Sequence, residues 1–218
     1  SPIQASPQVV TLNPGTGNIT FNSIISAGWA LEGSVSLKIQ PSSTSQVTTI
    51  NGAVGTQYKL KNLSIGGSST LVASASTSAY PTSKVIITTG TQTYTGAVTL
   101  GSDITLTTSA ASTGGDITFS STVEGATSPS YSLAATTAAD AHTIFNGTVG
   151  NTNPLKSLSV SAGLTTLNTN TVKTIGAQTY TGAVTLAAVS GTTTLTTTGS
   201  SGTIGVTFGG SILSLIHI

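Results

Sequence analysis

Nine letters, QTYTGAVTL, are spelled twice in this chain, at positions 92–100 and 178–186. A catalytic motif is seldom duplicated so literally inside one domain, whereas a unit that stacks on copies of itself often is. The duplication therefore constrains architecture before it says anything of chemistry. Other phrases recur beside it. INGAVGTQYKLKNLSIGG (50–67) returns as FNGTVGNTNPLKSLSVSA (145–162), and GNITF (17–21) returns as GDITF (115–119) and, in its last letters, as GVTF (205–208). The offsets are 86, 95, 98 and 89 residues, so one unit of about 90 residues repeats with small insertions and deletions, which belong in loops. The chain holds a little over two units.

Within a unit the strand signals are short. In DITLTT, Ile104 and Leu106 share one face and Thr105 and Thr107 the other; in DITF, Ile117 and Phe119 oppose Thr118. Gly, Asn-Gly and Ser-Gly pairs separate these runs as turns. Two all-β architectures use such pieces. A string of β-sandwich modules also repeats near this length. However, related phrases recur within one unit as well as between units, and the single Trp29 lies outside the duplicated phrases, so it is no repeated sandwich-core Trp. A parallel β-helix accounts for both features. Coils of about 20 residues then give four or five coils per unit and on the order of 11 coils in a rod roughly 50 Å long. On this reading Tyr94 and Tyr180, Val98 and Val184, and Leu100 and Leu186 occupy the same positions of the rod, several storeys apart. Positions 1–212 read as a single β-helix segment.

Composition narrows the partners. Thr and Ser make up about a third of the chain, only 5% of residues are charged, and 37% are hydrophobic, which excludes the low-hydrophobicity, high-charge signature of disorder. The net charge of +1 is carried by scattered Lys with no Arg, so there is no basic stripe for nucleic acid. No run reaches the roughly 18 apolar residues of a membrane span. Cysteine is absent, which rules out disulfides and thiolate metal sites. A long stack needs no such staples, because each coil is buried by its neighbours. The opening SPIQASPQVV has neither an initiating Met nor a signal peptide, and so reads as the interior of a longer chain. The closing LSLIHI, Leu213 to Ile218, reads as the translation of a transposon adapter. Residues 213–218, His217 included, are therefore set apart from the native sequence.

The phrases TGAVTL (95–100 and 181–186), GDITF (115–119), FNGTVG (145–150) and PLKSLSVSAG (154–163) resemble the repeat region of long exoproteins of the filamentous-haemagglutinin type, secreted adhesins of Gram-negative bacteria. The similarity spans most of positions 15–210. It implies a right-handed, single-stranded parallel β-helix, export by an outer-membrane partner transporter, an extracellular place on the bacterial surface, and a role in adhesion or biofilm formation. The partners it implies are host or neighbouring cell surfaces, glycans among them.

No residue set reads as catalytic, cofactor-binding or metal-ligating. The acids are Glu32, Asp103, Asp116, Glu124 and Asp140, mostly single and at strand entries or turns. A β-helix lyase or glycosidase needs clustered carboxylates. Asp103 and Asp116 each follow Ser or Gly, where a carboxylate bonds nearby backbone N–H groups, and Asn18 takes the same place in GNITF without a charge. Asp140 and His142, two apart, share a face if the segment is a strand, but no nucleophile elbow accompanies them. GSSGTIG (199–205) lacks the phosphate-loop pattern and reads as turns. The sequons at 18–20, 62–64 and 146–148 matter only under eukaryotic secretion. Outward T-x-T spacing raises ice binding as an alternative, which requires the same pair on one face of consecutive coils. The insertion WALEGSVSLKIQPSSTSQ (29–46) is a candidate binding element.

Overall fold

Short runs that alternate Val, Ile, Leu or Phe with Thr or Ser bury one face of each strand and leave the other wet, and Gly- and Asn-rich corners turn the chain between them. The computed structural model describes residues 8–23, 25–43, 45–71, 85–110, 114–128, 130–188, 191–200, 202 and 204–214. The first strands are β1 (Gln8–Leu12), β2 (Ile19–Phe21), β3 (Val35–Ile39), β4 (Val47–Ile50), β5 (Leu63–Ile65) and β6 (Ser68–Leu71). Then come β7 (Val85–Thr88), β8 (Gln92–Tyr94), β9 (Val98–Leu100), β10 (Ile104–Thr108), β11 (Ile117–Phe119) and β12 (Val123–Gly125). These are followed by β13 (Leu133–Thr136), β14 (His142–Phe145), β15 (Leu158–Ser161), β16 (Leu164–Leu167) and β17 (Thr171–Thr174). The last are β18 (Gln178–Tyr180), β19 (Ala183–Leu186), β20 (Thr194–Thr197), β21 (Val206–Phe208) and β22 (Ile212–Ser214). The only helical element among the described residues is a 3-10 turn, Trp29–Leu31.

Every strand pairing among the described residues is parallel and joins successive coils, so the chain winds as a right-handed β-solenoid and the antiparallel sandwich alternative is excluded. Three faces result. Face A is a nine-stranded sheet, β1-β3-β5-β8-β11-β14-β16-β19-β22. Face B runs β2-β4-β6-β9-β12 and continues through the bridge residue Val149 to β17 and β20. Face C runs from the bridges at Ile25 and Val54 into β7-β10-β13-β15-β18-β21.

Successive partners on face A step by 29 residues (Leu63 to Gln92) at most and 19 (Thr165 to Val184) at least. The coils are therefore longer and fewer than the 20-residue, eleven-coil expectation. Corner excursions account for the excess. Gly55–Lys59 loops out between Val54 and Leu60, which both bridge to β7, and residues 150–154 do the same between Val149 and Leu155, which bridge to β17. Eight steps of about 4.8 Å make a column on the order of 40 Å tall.

The core is a set of internal ladders. On face A, Leu12, Ile39, Ile65, Tyr94, Phe119, Phe145, Leu167 and Leu186 lie one above another. Within this ladder the rings of Tyr94, Phe119 and Phe145 stack with centroids 5.2 and 5.0 Å apart. No coil could bury such residues alone; each is covered by the rung above and the rung below.

The duplicated phrases do not share a face. Tyr94 lies on face A and Tyr180 on face C; Val98 lies on face B and Val184 on face A. This corrects the expectation of equivalent positions on the rod. From β8 to β18 the chain passes ten strands and the bridge residue Val149, eleven positions at three per coil, so the repeat is three and two-thirds coils long. The same eleven-position step carries Phe21 on face B to Phe119 on face A and Phe208 on face C. The repeat thus turns by one face each time it recurs.

Candidate functional site

The acids and amides at strand entries fasten coil to coil. Asn18 Oδ1 accepts from the Val47 N–H at 2.9 Å, Asn62 Oδ1 from Thr91 N–H at 2.8 Å, Asp103 Oδ1 from Ser132 N–H at 2.9 Å, and Asp116 Oδ1 from His142 N–H at 2.8 Å. Glu124 Oε2 accepts from the N–H groups of Thr152 and Asn153 at 3.1 and 2.8 Å. The expectation of bonds to nearby backbone is half right. The acceptor role holds, but the donors lie 26 to 29 residues on, in the next coil, because the first N–H of each strand faces the entry corner of the coil before it. Asn18 and Asp116 are equivalent in the repeat and make the equivalent bond, so the charge is dispensable there.

Asp140 lies exposed in the turn before β14, while His142 begins that strand, and among the described residues no hydrogen bond or ion pair joins their side chains. Among the described residues no three His, Cys, Asp or Glu lie close enough to hold a metal ion. No helix there is long and apolar enough to cross a membrane. The stretch 199–205 falls partly outside the described residues. So do Tyr80, Lys84, and 215–218 of the closing tail.

Face C bears on the T-x-T spacing. Its outward residues are Val85 and Ile87 on β7, Thr105 and Thr107 on β10, Ala134 and Thr136 on β13, Ser159 and Ser161 on β15, Thr179 with Thr181 at β18, and Thr207 on β21. The full Thr pair occurs at β10 and β18 but not on the two strands between, so no two consecutive coils repeat it. The stretch 29–46 is not the insertion expected from the sequence: its Val35–Ile39 is β3, a rung of face A with Leu37 and Ile39 buried in the core, while Trp29 stands 79% exposed on the 3-10 turn.

One cleft gathers polar groups. It has a volume of about 220 Å³ at the corner where faces A and B meet, and is lined by Asn146, Gly147, Thr148, Asn168, Thr169, Asn170 and Ala188. Asn146 and Asn168 follow the last residues of β14 and β16, Phe145 and Leu167, which stack in the core and so hold the two amides in register outside it. The Asn168 amide donates to Asn146 Oδ1 at 2.8 Å. The backbone below is fixed as well: Asn146 N–H donates to Phe119 O and Asn168 N–H to Phe145 O, both at 2.9 Å. Sequence reasoning missed this cleft. The readable signal was Asn directly after an apolar strand residue in FNGT and LNTN, one coil apart.

Sequence reasoning also missed a buried polar network, found twice. Gln92 Nε2 donates to Thr107 O (2.9 Å) and Ile86 O (3.1 Å), and Tyr94 OH donates to Gln92 Oε1 at 3.1 Å. Gln178 Nε2 donates to Thr196 O (2.9 Å) and Val172 O (3.2 Å), and Tyr180 OH donates to Gln178 Oε1 at 3.2 Å. Burial pushes both tyrosine hydroxyls well above their ordinary pKa of 10.0. These groups are sealed in the core and serve the fold. No protein-family model matches the chain, and no curated protein or solved structure matches it significantly.

Proposed function

We propose that this chain is a structural and adhesive segment of a large secreted bacterial surface adhesin of the filamentous-haemagglutinin type, acting by contact and without catalysis. The observation that supports it most is the column of nine parallel rungs on face A, in which each internal coil is covered by its neighbours and the unit can be repeated without limit. A chain with no Cys suits export in an unfolded state through an outer-membrane partner transporter. The eleven-position repeat distributes equivalent side chains around all three faces, so a long rod offers like surfaces in every direction to host or neighbouring cells and their glycans. Weak individual contacts then add through multivalency.

Beads coated densely with the chain test this reading against cells and against a glycan panel. Retention without release of product is expected. Release of shortened glycan from the panel, or failure to be retained on any cell or glycan surface, overturns it. Spin labels at Thr11 and Thr185, seven rungs apart on face A, check the rod itself with an expected separation of about 34 Å.

A further inference from the structure

We propose that the cleft at Asn146, Thr148, Asn168 and Asn170 is a binding site for a single uncharged sugar residue, gripped through its hydroxyls. The proposal rests on the adhesive reading for its biological setting and on the cleft alone for its chemistry.

Size comes first. At about 220 Å³ the cleft is smaller than the roughly 300–1,000 Å³ of sites for drug-sized ligands, and so takes one small unit of a longer chain. Charge comes second. None of the seven lining residues is ionisable, and a charged ligand would lose its hydration against walls that offer no counter-charge. The donor and acceptor pattern comes third. A sugar hydroxyl both donates and accepts, and a carboxamide offers both functions side by side. The bond from Asn168 to Asn146 Oδ1 orients the two amides, which leaves Asn146 Nδ2 as a donor and Asn168 Oδ1 as an acceptor at adjacent positions. Two neighbouring hydroxyls of a ring complement that pair, one accepting and one donating. Thr148 adds a hydroxyl and Asn170 a third amide, whose Oδ1 already accepts from the Thr171 hydroxyl and whose Nδ2 is left to donate, and the Ala188 methyl from the following coil faces the apolar C–H side of the ring. Asn146, Thr148, Asn168 and Asn170 each stand next to a paired strand or bridge residue, so little ordering is needed on binding.

A site this shallow should bind with a dissociation constant on the order of millimolar, useful only when presented many times. Saturation-transfer NMR on the intact chain tests it with neutral sugars (glucose, galactose, mannose and N-acetylglucosamine) and charged ones (glucuronate and glucosamine). Saturable binding of at least one neutral sugar is expected, with the charged sugars at least tenfold weaker. Thr148→Val, which keeps the side-chain shape, and Asn146→Ala should each weaken binding at least threefold. Asn51→Ala removes the same kind of amide bond, from Asn51 to Asn22 at another corner, and should leave binding unchanged. No saturable binding of any neutral sugar, equal binding of charged ones, or binding indifferent to both Thr148→Val and Asn146→Ala overturns the site. A null result with the 34 Å spin-label separation intact removes the site and leaves the rod standing.

Discussion

The two copies of Gln-Thr-Tyr sit on different faces of the rod and make the same bonds. Around the first, Tyr94 is the end of a three-ring stack and lies on the nine-stranded face with rungs on both sides. Around the second, Tyr180 stacks on Phe208 alone, at 5.4 Å, next to the last strand of face C. The corner chemistry is therefore carried by the phrase itself and not by its place on the rod. A Thr-x-Gly corner, in which the Thr88 hydroxyl donates to Gly90 O and the Thr174 hydroxyl to Gly176 O, the strand after it and a Gln that caps nearby carbonyls form one portable unit. What differs between the copies is cover, and cover should set how much each copy is worth.

The largest expected effect breaks both copies of the repeat at a glycine. Gly55 and Gly150 are equivalent, have φ of +71° and +64°, and a Cβ on either would lie 2.1 Å from a carbonyl oxygen, of Ile87 and Lys173 respectively. Left-handed strain and a backbone clash add, so Gly55→Ala and Gly150→Ala should each cost about 2–6 kcal/mol in urea unfolding. Equal losses would show that the turn is a property of the unit; a loss under about 1 kcal/mol at either would show that the corner relaxes freely.

Next come the capping glutamines. Gln92→Leu and Gln178→Leu each strip a donor from two buried carbonyls and an acceptor from a buried tyrosine hydroxyl, for a cost of about 2–4 kcal/mol. The better-covered first copy should lose more than the second. The reverse order, in paired thermal melts, would mean that cover does not set the worth of the network.

How much of this was legible follows from the same two copies. Periodicity announced the rungs, because alternation of Ile104 and Leu106 with Thr105 and Thr107 is a local property and survives in the structure. The acceptor role of Asp103 and Asp116 was legible as chemistry but not as address, since a turn residue reaches equally toward its own loop and toward a coil 26 to 29 residues on. The face of each repeat was illegible. Coil length varies from 19 to 32 residues with corner excursions such as residues 55–59, so an offset of 86 residues has no fixed angular meaning until the strands are paired. The cleft was invisible for the same reason, being assembled from three successive coils.

A smaller effect uses pH. Burial holds the Tyr94 and Tyr180 hydroxyls protonated above their ordinary value of 10.0, so the folded chain keeps protons that the unfolded chain releases. Stability is unaffected below pH 10 and falls as pH rises beyond it, by about 1.4 kcal/mol per pH unit for each tyrosine. Absorbance at 295 nm, compared between the parent chain and the Tyr94→Phe and Tyr180→Phe variants, should show these two tyrosines ionising only as the chain unfolds. Tyr94→Phe and Tyr180→Phe should each remove one share of this alkaline loss, and cost about 1 kcal/mol at neutral pH through the orphaned Gln carbonyl. Ionisation of Tyr94 or Tyr180 near pH 10 in the folded chain would contradict the sealed network.

The smallest effect has the opposite sign. Thr143 and Thr165 lie one above the other inside face A, fully buried, and neither hydroxyl has a hydrogen-bond partner. Their repeat equivalents, Thr48 and Ser69, lie one above the other inside face B, and Ser69 Oγ is likewise without a partner. Unlike the glutamine network, this duplicated pair leaves polar atoms unsatisfied, so the repeat copies a cost as faithfully as it copies a benefit. Thr143→Val and Thr165→Val keep the shape, remove the buried hydroxyl, and should each raise stability by about 1 kcal/mol. A destabilised Thr143→Val or Thr165→Val protein would show that these hydroxyls are satisfied by water inside the column. In that case the polar rungs would belong with the glutamine caps, as parts of the portable unit that contribute to holding one coil on the next.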